Sequence, residues 1–166
     1  MIIGILKNTP LWVWVVLLGL MALGLPQTRS RNVSRLLVLL VPATMVPLSV
    51  YAVIASFGVS TAGLSAWIAG VAAAVAVNGL VFLSPKGVHY SVEDQAYELP
   101  GSWVPLALML TIFCARFAVG VSTPLSASIV STVGFVGGVS VILGACSGLF
   151  LSRSMRILSV QRRAAA

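Results

Sequence analysis

The sequence predicts an all-α membrane protein: a bundle of five transmembrane helices with a short cytoplasmic β-hairpin between helices 3 and 4. Three observations predict it. Of 166 residues, 59% are hydrophobic and only 8% charged, where ordinary soluble domains carry charge on about a quarter of their residues. The apolar residues fall into five long runs, and the basic residues gather at one set of run ends. A mean hydropathy of +1.08 excludes a soluble globular domain and equally excludes disorder, which needs low hydrophobicity with high net charge.

A hydrocarbon core about 30 Å thick asks for roughly 20 mostly apolar residues per helix. The first run, 9–25, is short, but Met1–Leu6 is also apolar and extends it. The second, 36–57, is free of charge and contains Pro42 and Pro47. The third, 64–83, is rich in alanine and valine, with Asn78 as its polar interior residue. The fourth, 103–121, holds Arg116, and the fifth, 128–151, is rich in glycine and serine. Without water to satisfy the backbone, these runs must be helices. Period-two alternation is absent from them, which excludes an outer-membrane barrel. The whole chain, 1–166, reads as one integral membrane domain ending in a basic tail, 152–166.

Charge orients the bundle. Lys7 and the two loops at 58–63 and 122–127 lie on one side; Arg29, Arg31, Arg35, Lys86, Arg153, Arg156, Arg162 and Arg163 lie on the other. The positive-inside rule then places the N-terminus outside and the C-terminus in the cytoplasm. A cleaved signal peptide is the alternative for the first run; its basic region would be a single lysine followed at once by three arginines, which argues against it. Helical rise sets Cys114 and Cys146 at depths about 17 Å apart, too far for a disulfide, so both read as small apolar residues.

Between the third and fourth runs, Val88, Tyr90 and Val92 alternate with His89 and Ser91, Glu93-Asp94-Gln95-Ala96 is turn material, and Tyr97-Glu98-Leu99 precedes Pro100-Gly101. This is the expected hairpin, lying at the cytoplasmic interface with Tyr90, Tyr97 and Trp103 at headgroup depth. Ser102 is a candidate N-cap for helix 4. In the tail, Leu151, Met155 and Leu158 follow helical spacing, with Arg153 and Arg156 off that face. Arg29, Arg31, Arg35, Arg153 and Arg156 would attract anionic headgroups at about 1 kcal/mol per residue. Topology accounts for the pI of 10.5, so nucleic acid is set aside as a partner. The loops Gly58-Val59-Ser60-Thr61 and Gly120-Val121-Ser122-Thr123 resemble one another and would fit a parallel duplication of helix pairs; chance in so biased a composition is favoured.

Arg116 is the strongest pointer to function, since arginine inside a span is costly and rare. It lies about 7.5 Å below the outer end of the fourth run, and Trp12, Trp14, Tyr51 and Trp67 lie within about 4–9 Å of theirs. The reading is an outer layer of aromatics around one guanidinium, suited to cation–π contact or to a small anion. The bland explanation, an aromatic belt with a snorkelling arginine, weighs about the same. No carboxylate lies in any run, so the partners of Arg116 must be hydroxyls, backbone carbonyls, lipid phosphate, another subunit or an anion.

Asn78 reads as an interhelical hydrogen-bonding residue, and Gly134, Gly137, Gly138, Gly144 and Gly148 as close helix packing, within the chain or between copies. His89, Glu93, Asp94 and Glu98 are the candidates for metal or acid–base chemistry; a solvated acidic turn is the stronger reading, and no metal site or cofactor is expected. No nucleophile elbow, P-loop or dinucleotide fingerprint occurs, and an enzyme is not expected.

Thr9-Pro10-Leu11-Trp12-Val13-Trp14, the arginine-rich stretch leading into Arg35-Leu36-Leu37, Pro100-Gly101-Ser102-Trp103-Val104-Pro105-Leu106 and Arg116 resemble a family of small bacterial inner-membrane proteins of unknown function. The resemblance implies a bacterial plasma-membrane location and no particular activity. The expected function is that of a non-enzymatic accessory or assembly protein contacting a membrane partner or lipid. The alternative is a small oligomeric transporter or channel component in which Arg116 selects an anion.

Overall fold

The computed structural model describes residues 10–81, 89–91, 96–125 and 127–164. In chain order these form α1 (Leu11–Gly24), running into a 3-10 turn (Leu25–Thr28), then β1 (Arg31–Ser34), α2 (Arg35–Phe57) and α3 (Thr61–Val81). Next come β2 (His89–Ser91), β3 (Ala96–Leu99), α4 (Val104–Leu125), the single turn α5 (Ala127–Val130) and α6 (Val133–Ala164).

Among the described residues four stretches are long and apolar enough to cross a membrane: Leu36–Phe57, Thr61–Leu80, Val104–Pro124 and Val133–Ser159. A fifth, Val13–Thr28, is apolar but shorter. The 14 residues of α1 rise only about 21 Å at 1.5 Å each, against a core about 30 Å thick.

Local chemistry explains the helix ends. Gly58 stops α2 at φ 70°, a left-handed conformation that costs glycine little, with its N–H donating to Ile54 O at 2.8 Å. The apolar runs predict that helix 4 ends at 121 and helix 5 begins at 128. Instead α4 continues to Leu125, one residue past Pro124, whose missing N–H cannot extend the ladder. The apolar run after it breaks at Ser131–Thr132. The Thr132 hydroxyl donates to Ile129 O at 2.7 Å and accepts from the Phe135 N–H at 3.4 Å, a local alternative to the helical bonds.

The bundle is organised around α6. It packs most extensively on α3, and the two run parallel, so that Trp67 meets Gly144 and Val71 meets Gly148. A Cβ on Gly144 would strike the Trp67 carbonyl oxygen, and one on Gly70 the Val141 carbonyl oxygen; glycine is what lets the backbones touch. Buried side chains form three groups along the bundle. At the 58–60 end lie Ala52, Val53, Val119, Val139 and Leu143. In the middle lie Leu108, Cys146 and Phe150. At the far end lie Val33, Val38, Tyr97, Leu99 and Ile157. α1 rests on α4, with Gly24 against Leu106.

Between β2 and β3 the chain pairs antiparallel, His89 opposite Glu98 and Tyr90 opposite Tyr97; residues 92–95, the expected turn, lie outside the described residues. The stretch read as an arginine-rich loop contributes β1, which pairs antiparallel with β3 on its other side, Val33 opposite Tyr97. Period two puts Tyr97 and Leu99 on one face, turned towards α2 and α6. Tyr97 is therefore fully buried (0% exposed), whereas Trp103 is exposed. On the tail, Phe150, Ser154 and Ile157 are buried and Leu158 packs against the same cluster, while Met155 is exposed.

Candidate functional site

Arg116 projects from α4 onto the last turns of α2. Its Nη1 donates to the Ala52 carbonyl oxygen at 2.8 Å and to the Ser56 hydroxyl. Ser56 Oγ in turn donates to the same Ala52 carbonyl at 2.8 Å, which closes a three-membered arrangement. Ala52 lies about 7.5 Å, and Ser56 about 1.5 Å, from the end of α2 by helical rise, so the guanidinium sits near the 58–60 end of the bundle. Guanidinium has five N–H donors; those on Nε and Nη2 find no acceptor among the described residues, and the residue is exposed.

The expected aromatic layer does not assemble around this group among the described residues. Tyr51 is 67% exposed and Trp14 is exposed on α1; the side chain of Trp12 lies outside the described part. Trp67 takes a different partner: its indole N–H donates to Ser49 Oγ at 3.0 Å, and Ser49 Oγ donates to Leu143 O at 3.1 Å. A buried indole seeks an acceptor, and this relay stitches α3 to α2 and α2 to α6. Aromatic packing occurs instead between Phe57 and Phe135, edge-on at 6.3 Å, and between Phe113 and Phe117, stacked at 6.2 Å.

Asn78 is buried at 5% exposure, but its Oδ1 has no hydrogen-bond partner among the described residues, and neither has Ser140 Oγ. Of the glycines singled out in the sequence, Gly144 and Gly148 make the α3–α6 contact, whereas a Cβ on Gly134, Gly137 or Gly138 would meet nothing within 4 Å. Cys114 is exposed, Cys146 is buried, and both are free thiols. Glu93 and Asp94 lie outside the described residues, as do the side chains of His89 and Glu98. Among the described residues no group of three or more His, Cys, Asp or Glu could hold a metal ion.

At the opposite end of the bundle the basic residues collect. Arg31 opens β1 and Arg35 opens α2; their side chains lie outside the described part. Arg153 and Arg156 ride on α6, and Arg153 Nη1 donates to Ser102 Oγ at 3.1 Å. Ser102 is held in place by its own N–H, which donates to Gln27 O at 3.0 Å. Arg29 and Arg153 both line an open cleft of about 560 Å³, counting the space open to the outside, between the start of α2, β3 and α6. No single stretch of the sequence signals this cleft. Its lining comes from four separated segments, each of which reads alone as a span end or a loop.

A family model matches residues 1–166, and the chain belongs to that family, the family of unknown function DUF6622. This agrees with the resemblance to an uncharacterised family. No curated protein and no solved structure matches the chain.

Proposed function

We propose that the chain is a non-enzymatic accessory or assembly protein of a bacterial plasma membrane, working by contact with a membrane partner or with lipid. In this reading α1 and the residues before it form a fifth span, the N-terminus is outside, and the basic end faces the cytoplasm. One observation carries the proposal. The polar side chains at membrane depth that make bonds use them to join helices or to cap their own carbonyls, as Arg116 does with Ala52 and Ser56, and Trp67 and Ser49 do with Leu143. What such a bundle offers its surroundings is its apolar flank, the outer side of Arg116 and the basic end. A carrier in which Arg116 selects an anion is disfavoured by the same bonds, because two of the five N–H groups of the guanidinium are already committed to α2.

Extraction in native lipid followed by native mass spectrometry tests the reading. The expected result is a stoichiometric second protein, or retained anionic lipid, on wild type. Uptake of a small anion by reconstituted vesicles that disappears in Arg116→Leu would overturn it. A reporter after Ala166 should be cytoplasmic and one inserted at Thr61 external; the reverse pattern sinks the orientation.

A further inference from the structure

We propose that the cleft at the basic end is a binding site for one anionic phospholipid, its phosphate at Arg29 and Arg153 and one acyl chain along α2. The inference rests on the contact reading above and gives it a defined site. The charged side chains among the described residues that line the cleft are both arginines. Arg29 is exposed and its guanidinium meets no acceptor among the described residues. Arg153 is steadied at the rim by Ser102. The wall includes the apolar side chains of Leu37, Val38 and Val41 from α2 and, one turn below Arg153, Phe150 from α6, with Ile157 one turn beyond Arg153 on the other side.

That wall continues outward. Leu37 both lines the cleft and is 47% exposed, and Leu36 and Leu40 next to it are exposed on the flank of the same helix. Val41 lies about 9 Å along the axis from the first residue of α2, so the groove leads from headgroup level into the apolar part of the span. At this end the stretches that can cross a membrane begin at Leu36 and Val104, and the one on α6 ends at Ser159, beyond Arg153. A charged rim above an apolar groove matches the two halves of a phospholipid. A soluble phosphate would use the rim alone.

The test is native mass spectrometry of the full chain in detergent, titrated with phosphatidylglycerol, phosphatidylcholine or glycerol phosphate. Wild type should take up one phosphatidylglycerol in preference to phosphatidylcholine and should not retain glycerol phosphate. Arg29→Gln should weaken that first site about fivefold, the equivalent of about 1 kcal/mol for one basic residue near an anionic headgroup. Arg29→Lys keeps the charge and should restore binding. Equal uptake by wild type and Arg29→Gln overturns the site, and so does glycerol phosphate bound as tightly as the lipid. Either failure leaves the contact reading standing if a partner or other anionic lipid is still retained; loss of both overturns the contact reading too.

Discussion

Replacing Arg116 with leucine removes the two hydrogen bonds that tie α4 to the last turns of α2. The cost of placing an arginine in a bilayer is common to the folded bundle and to the separated but inserted helices, so it largely cancels in helix association. The hydrogen bonds do not cancel. Polar contacts between helices in a bilayer average about 0.6 kcal/mol and reach about 1.7 kcal/mol, so losing two should destabilise the bundle by about 1 kcal/mol. Snorkelling predicts the opposite sign or none, since leucine is the better lipid-facing residue. Reversible unfolding in mixed micelles can measure this as a cycle of Arg116→Leu and Ser56→Ala. The coupling expected between the two positions is about 0.6 kcal/mol or more, above the roughly 0.3 kcal/mol within which independent sites add. Additive effects, with Arg116→Leu neutral or stabilising, would refute the clamp.

The glycines should divide by position. Gly144→Ala drives a methyl into the Trp67 carbonyl and should cost about 1–3 kcal/mol in the same assay. Gly137→Ala meets open space and should stay within about 0.5 kcal/mol of wild type; equal effects would count against the parallel α3–α6 contact. Tyr97→Ala empties a fully buried site and should cost at least about 3 kcal/mol, read as a lower unfolding midpoint. A neutral result there would mean that the β3 cluster does not hold α2 and α6 together.

Spans were legible because lipid demands long apolar runs, and runs such as 36–57 need no knowledge of their neighbours. What depends on neighbours was not legible. β1 holds Arg31-Asn32-Val33-Ser34, a segment with one apolar residue, and becomes a strand by pairing with Ala96–Leu99, far along the chain. The burial of Tyr97 depends on the same added strand, which covers it with Val33, Val38 and Ile157. For Arg116 the kinds of acceptor, a hydroxyl and a backbone carbonyl, followed from the lack of any carboxylate in a span. Which helix supplies them depends on bundle order, which composition does not encode. The break at Thr132 was hidden because its hydroxyl competes with the ladder inside an otherwise uninterrupted apolar run.

The parallel contact of α3 with α6 has a consequence for biogenesis. Helices that leave the ribosome in sequence cannot pair in sequence here, because Gly70, Val71 and Ala74 have their partners on Val141, Ala145 and Gly148. The α3 seam must wait in the bilayer, open along its side, until the last described helix is delivered. During that interval a nascent chain presents a small-residue surface that insertion chaperones or membrane proteases can recognise. Closure of the seam awaits α6, so chains stopped before α6 should be degraded faster than chains that include it.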